Sequence, residues 1–220
     1  MAYQHLQVDG SALDLPVGKV VCIGRNYAEH ARELNNEIPT EPLLFMKPAT
    51  ALAPLDEPVT VPKGHGSVHF ETELAVLIGE RLTDVDAQAA QHGIAGVGLA
   101  LDLTLRDVQD QLKSKGHPWE RSKAFDGACP VSRFLTPASV GDLTDVNLRL
   151  TVNDEVRQEG NSAQMLTPVL ALISYISQWF TLEPGDLVLT GTPAGVGPLK
   201  PGDKLVVEIV DLLRVDTEAQ

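Results

Sequence analysis

Eighteen glycines and fifteen prolines, scattered through 220 residues, constrain this fold more than any other feature. They cut the chain into short apolar runs bounded by turn residues, a pattern of many short strands. Strand and helix signals do not alternate as βαβ units require, so a doubly wound parallel sheet is not expected. The pattern predicts a β-rich α+β fold with three or four short helices.

The strands are expected at residues 19–24, 43–47, 59–61 and 69–78, with an apolar run at 94–103. Asn26 is placed to cap a helix over 27–34, and further helices are predicted near 87–91 and over 105–115. Asn153-Asp154 reads as the turn of a hairpin between 146–152 and 155–158. Thr167 and Pro168 open a helix that runs to about Trp179. Two Pro-Gly-Asp turns, at 183–186 and 200–203, each launch an apolar strand.

The formal net charge of −13, with Lys and Arg dispersed, opposes binding to phosphate backbones, so no nucleic-acid partner is expected. No apolar run nears the ~18 residues of a membrane-spanning helix, and no basic-then-apolar leader opens the sequence. A cytoplasmic protein is therefore expected. Cys22 and Cys129 do not resemble a disulfide framework, and Cys22 sits in an apolar run where it reads as a small buried hydrophobe.

The segment most informative about chemistry is His69-Phe70-Glu71-Thr72-Glu73-Leu74-Ala75-Val76-Leu77-Ile78. In a strand Glu71 and Glu73 share a face with Ala75 and Leu77, while Phe70, Thr72, Leu74, Val76 and Ile78 share the other. Both faces turn apolar, so the two carboxylates stand at the mouth of a core, where they repel each other and lose hydration. A cation would remove both costs; a solvated strand end is the common alternative. Asp102, closing its own apolar run, adds a third acid, with helix capping as its plainer role. Three carboxylates without a Cys or firm His partner make a hard oxygen site suited to Mg²⁺, Mn²⁺ or Ca²⁺. His69 is a weaker ligand candidate. Arg106 and Gln109 lie within a helical turn of one another on the side of Asp102.

His30 and Glu33 are three apart on a predicted helix, where a carboxylate can orient an imidazole as general base; a surface pair is the simpler reading. Residues 190–197, Thr-Gly-Thr-Pro-Ala-Gly-Val-Gly, form a loop able to offer N–H groups to an anion, or simply a tight turn.

These segments, with Gly24-Arg25-Asn26-Tyr27 and Lys123-Ala124-Phe125-Asp126, resemble the fumarylacetoacetate hydrolase family in composition and order, over about residues 19–209. The resemblance implies a mixed β-sandwich roll of the C-terminal-domain type with a few short helices. It places an N-terminal segment at 1–18 and a single catalytic domain at 19–215. It implies Glu71, Glu73 and Asp102 as ligands of Mg²⁺ or Mn²⁺, and His30 with Glu33 as an acid–base dyad on a segment that orders over substrate. Lys123 would bind substrate, with Arg25, Lys47, Arg106, Gln109, Gly191 and Thr192 as further contacts. The implied reaction is hydrolytic C–C cleavage of an acylpyruvate, such as fumarylpyruvate or acetylpyruvate, by a homodimer. Oxaloacetate decarboxylation, isomerisation of 2-hydroxyhepta-2,4-diene-1,7-dioate, and non-catalytic binding of a 2-oxo acid are the alternatives. The C-terminal sequence departs from the family pattern after Ile209, which puts the last strand in question.

Overall fold

A computed structural model describes residues 3–220; residues 1 and 2 of the expected N-terminal segment lie outside the described residues. The strands are β1 (Val20–Gly24), β2 (Leu43–Lys47), β3 (Leu52–Pro54), β4 (Val68–Phe70), β5 (Thr72–Ile78), β6 (Ile94–Leu101) and β7 (Thr104–Leu105). They continue with β8 (Cys129–Val131), β9 (Asn147–Val152), β10 (Glu155–Asn161), β11 (Leu187–Leu189), β12 (Gly197–Pro198), β13 (Lys204–Ile209) and β14 (Leu213–Glu218). The helices are α1 (Ala28–Glu33), α2 (Ala87–His92), α3 (Arg106–Ser114), α4 (Glu120–Lys123), α5 (Pro137–Val140) and α6 (Val169–Trp179).

A seven-stranded mixed sheet runs β2-β1-β11-β5-β6-β8-β3, and a four-stranded sheet runs β10-β9-β13-β14. The alternation read from β5 holds. Leu74, Val76 and Ile78 enter the large core together with Leu148, Leu150, Val207 and α6, whereas Ala75 and Leu77 pack with Val20, Cys22 and Phe134. Both faces of the central strand are thus dry, which explains its continuous apolar composition.

The single strand expected at 69–78 is instead two. β4 belongs to a third, three-stranded sheet, β12-β4-β7, and the chain changes sheet at Glu71. Its partner does the same: β6 ends at Leu101 and β7 begins at Thr104. The two strands turn away together, held by the Asp102 N–H donating to the Glu71 carbonyl at 2.8 Å. This paired departure sets Glu71 and Asp102 side by side at the edge of the core.

Four local expectations are corrected. Asn26 does not cap α1; its amide donates to the carbonyls of Thr167 and Thr190 and accepts from the Thr167 N–H, so it ties β1 to the entry of α6 and to the glycine loop. With Thr167 held this way, α6 starts one residue later than expected, with Pro168 at its N-cap. Residues 59–61 form no strand, because only Val59 bridges, to Ala219. The C-terminal sequence, despite its departure, forms a regular strand: β14 pairs with β13 from Leu213 to Glu218, beyond the expected boundary at 215. The Asn153-Asp154 hairpin is as expected, with both residues at positive φ, 51° and 65°.

The N-terminal segment lies against the second face of the large sheet. His5 is fully buried and bonds the Gly185 carbonyl at 3.1 Å, and Tyr3, Leu13 and Leu15 cover apolar residues there. Gly185 has φ +89°, and a Cβ would sit 1.8 Å from the Pro16 carbonyl oxygen. Gly185→Ala is therefore expected to cost about 2 kcal/mol or more, through a strained backbone and a displaced segment. Urea unfolding checks this; an unchanged midpoint would mean that the segment is not held at this turn.

Candidate active site

The sheet-switching strands place three buried carboxylates together. Glu71, Glu73 and Asp102 each offer an oxygen, and these atoms lie within 4.8 Å of one another. Three cations answer them. Lys123 Nζ donates to Glu71 Oε2 at 2.8 Å and to Asp102 Oδ2 at 2.6 Å. Arg106 Nη2 reaches Glu71 Oε1 at 2.6 Å, and Arg106 Nη1 donates to Gln109 Oε1 at 2.7 Å. Lys47 Nζ stands 2.7 Å from Asp102 Oδ1.

Glu73 is the exception: among the described residues it forms no salt bridge, and its one strong partner is the Gly191 N–H at 2.6 Å. Burial, then the charges of Asp102 and Glu71, push its carboxyl well above the ordinary range. Burial pushes Glu71 upward too, but Lys123 and Arg106 outweigh it and hold the group low. For Lys123 burial is again opposed, by Asp102 and Glu71, and its ammonium is held above its ordinary value.

This arrangement fits a hard divalent cation. All donors are carboxylate oxygens, one carboxylate lacks a cation of its own, and the three converge. The nearby thiols do not compete: burial, against the charge of Lys47, pushes Cys129 to about 12, and both cysteines are free and buried. His69, the weaker ligand candidate, lies on β4 outside the converging group.

His30, only 6% exposed, lines the same cavity as the carboxylates. Its Nδ1 stands 3.3 Å from Glu33 Oε2, and the Glu33 carboxylate also accepts the Gly195 N–H at 3.0 and 3.2 Å. Glu33 thus fastens the short helix α1 to the glycine loop and orients the imidazole at once. Thr192 lines the cavity, and its Oγ1 accepts from Gln158 Nε2 at 2.8 Å. Gln158 also donates to the Pro193 carbonyl and accepts from the Thr72 N–H, so this buried amide fixes the loop against β5.

Two expected substrate contacts are placed elsewhere. Lys47 is fully buried behind Asp102, donating to the carbonyls of Lys123 and Ala128, and it does not line the cavity. Gly191, at φ +94° against the Cβ of Asn26, directs its N–H to Glu73 and serves the carboxylate cluster instead. Arg25, Arg106, Gln109 and Lys123 do line the cavity. So do Lys113, Trp119 and Phe45, which the sequence reading passed over. Lys113 follows Arg106 and Gln109 at helical spacing on α3, the signal by which it could have been found.

A roll of this kind, carrying a divalent-metal donor set beside a His–Glu pair, defines a class of metal-dependent enzyme. The chain belongs to the fumarylacetoacetate hydrolase family: the pattern described as fumarylacetoacetate (FAA) hydrolase C-terminal matches residues 19–218. The chain is 52% identical to oxaloacetate tautomerase YcgM of Escherichia coli strain K12 over 206 residues, 93% of this chain and 94% of that one. It is 45% identical to a mitochondrial oxaloacetate decarboxylase of Dictyostelium discoideum, over 92% of each chain. The crystal structure of fumarylpyruvate hydrolase from Pseudomonas aeruginosa, in complex with Mn²⁺ and pyruvate, has a TM-score of 0.92 at 36% identity, covering 100% of this chain and 96% of that chain. The expected fold, a mixed β-sandwich roll of the C-terminal-domain type, is the fold observed. No helix among the described residues is long and apolar enough to cross a membrane.

Proposed function

We propose that this protein acts on oxaloacetate, interconverting its keto and enol forms at a Mg²⁺- or Mn²⁺-dependent site. The observation that carries this reading is the 52% identity, over nearly the full length of both chains, to a tautomerase of that substrate. The acylpyruvate hydrolysis expected from the sequence has weaker support, a hydrolase at 36% identity. Decarboxylation of the same substrate is the second reading, favoured by the Dictyostelium relative.

Glu71, Glu73 and Asp102 would hold the ion. When bound, it supplies positive charge that lowers the cost of enolate character at the 2-oxo group. With Nδ1–H held by Glu33, His30 keeps Nε2 free as a base. It takes a proton from C3 of the keto form, and the C–H electrons become the C2–C3 double bond. The carbonyl π electrons pass to the 2-oxo oxygen, which takes a proton from solvent to become the enol hydroxyl while the imidazolium returns its own proton to solvent. The reverse passage returns the proton from the imidazolium to C3. Lys123, fixed between Glu71 and Asp102, adds a preorganised positive charge where the oxyanion develops. No water attacks in this scheme; Glu33, itself held by the Gly195 N–H, keeps the His30 ring oriented beside the cavity.

The test follows enol loss by its ultraviolet absorbance, and pyruvate release in parallel, from oxaloacetate, acetylpyruvate and fumarylpyruvate. With Mg²⁺ or Mn²⁺, enol loss is expected to exceed the metal-only rate by about 10²-fold, and EDTA is expected to abolish the excess. Cleavage of an acylpyruvate with no effect on the oxaloacetate enol would reinstate the hydrolase reading. Pyruvate from oxaloacetate without faster enol loss would favour the decarboxylase.

A further inference from the structure

The cavity holds two cations that no carboxylate answers. Arg25 follows β1 and Lys113 closes the polar face of α3, and both line the space that contains Glu71, Glu73 and Asp102. Among the described residues neither forms a salt bridge, in contrast to Arg106, Lys123 and Lys47, each of which is paired with the cluster. Arg25 donates only to the Asn36 side chain at 3.0 Å and the Glu37 carbonyl at 3.3 Å, and its Nε is buried without a partner. Its backbone sits at φ +61°, a left-handed conformation that is costly for a residue of this kind. Lys113 Nζ lies 5.5 Å from the centre of the Trp119 ring and makes no closer polar contact among the described residues. Burial, then the charges of Arg25 and Arg106, outweigh the more weakly felt Asp110 and Glu71 and hold its ammonium below the ordinary value, so an arriving anion would relieve like-charge crowding.

Unpaired, partly buried cations side by side are expensive unless an anion completes them. The carboxylate cluster does not do so: Glu71 and Asp102 are already engaged by Lys47, Arg106 and Lys123, and Glu73 turns its carboxylate to the Gly191 N–H. The missing anion therefore comes with the ligand. A 2-oxo acid that places its carboxylate and 2-oxo group at the cation end has one further group to present. In a four-carbon diacid that group is a second carboxylate.

We propose that Arg25 and Lys113 form a subsite for the distal carboxylate of a short dicarboxylic 2-oxo acid, and that they set the preference for diacid over monoacid substrates. This rests on the oxaloacetate reading of the site and names the residues that would impose it. A guanidinium and an ammonium together offer several donors to one carboxylate, and charge-assisted contacts of this kind are among the stronger hydrogen bonds. Trp119 carries the Lys113 ammonium over its ring face, which keeps that charge within the cavity.

The experiment compares Lys113→Met, Arg25→Gln and Lys113→Arg with the unaltered Mn²⁺-loaded protein. Binding of malate, which carries a distal carboxylate, and of oxalate, which does not, is measured by calorimetry. Malate binding is expected to weaken about 10-fold in Lys113→Met and in Arg25→Gln, with oxalate binding changed by less than about 3-fold. Lys113→Arg is expected to restore malate binding. In turnover the loss is expected in KM for oxaloacetate rather than in kcat. Equal weakening of malate and oxalate, or malate binding unchanged in both variants, overturns the subsite. The two readings fail separately: an unaltered protein without activity on oxaloacetate defeats the proposed reaction. The malate-against-oxalate comparison still decides the subsite, because it needs no turnover.

Discussion

Glu73→Gln is expected to remove the stabilisation that Mn²⁺ confers, while leaving the metal-free protein at least as stable as before. Glu73 is 1% exposed, faces the charges of Asp102 and Glu71, and has no cation of its own. Without an ion its charged form is a net cost, and a neutral amide of the same shape removes it. The amide oxygen can still accept the Gly191 N–H, so the loop contact survives. Losing one of three carboxylate ligands is expected to weaken Mn²⁺ by about 100-fold or more, at or beyond the upper end of what removal of an outer partner brings. At a concentration near 100 times the original Kd, about 2.7 kcal/mol of ligand stabilisation would largely vanish. Thermal unfolding with and without Mn²⁺ measures both halves. Glu71→Gln is the contrast: it takes from Arg106 its carboxylate and from Lys123 one of two, and should destabilise the metal-free protein by about 3 kcal/mol. If Mn²⁺ raises the melting temperature of Glu73→Gln as it does for the parent, Glu73 is not a ligand.

The central sheet was legible because its strands carry their environment in their composition. The alternation around Glu71 and Glu73 assigned each side chain of β5 to its face, and the structure keeps that assignment through Ile78. The break at Glu71 was not legible, since it depends on a partner strand that leaves the sheet at the same level, and pairing is not written in a local pattern. The same limit explains Asn26. Its residue type suits a helix cap, but its amide is engaged by backbone atoms more than 140 positions away in sequence.

Within the site, spacing put Glu71 on one face with Glu73 and His30 beside Glu33, but it could not bring Asp102 to the pair or give depth. Lys47 closes an apolar run and Lys123 follows the polar Glu120-Arg121-Ser122, and neither context tells how deep the ammonium lies. The structure buries one behind Asp102 and leaves the other facing the cavity. Gln158 gave no local signal, because it lies on an exposed hairpin strand whose neighbours Arg157 and Glu159 are solvated. Its importance comes from three hydrogen bonds to β5 and the glycine loop. Lys113 is a different omission: the helical spacing that joined Arg106 to Gln109 extends one turn further.

His30→Ala is expected to lower kcat for oxaloacetate tautomerisation by about 10²- to 10³-fold, with Mn²⁺ affinity within about 3-fold of the parent. The imidazole is outside the ligand cluster, so its loss should spare the metal and strike the proton transfer. Glu33→Gln separates orientation from shape. The Glu33 carboxylate accepts from both His30 Nδ1 and the Gly195 N–H, and an amide has one acceptor oxygen for the two. If that oxygen keeps Gly195, the amide N–H₂ faces Nδ1, the ring adopts the other tautomer, and Nε2 carries a proton where a base is needed. Glu33→Gln is therefore expected to lose about 10²-fold although its volume is unchanged. Any decarboxylation of oxaloacetate should fall less in both variants, because loss of CO₂ needs no base at C3. Stopped-flow enol decay beside CO₂ release measures the two reactions on one sample. Tautomerisation within about 3-fold of the parent rate in His30→Ala would move the base to another residue, and equal losses in both reactions would point to a displaced α1 rather than a missing proton acceptor.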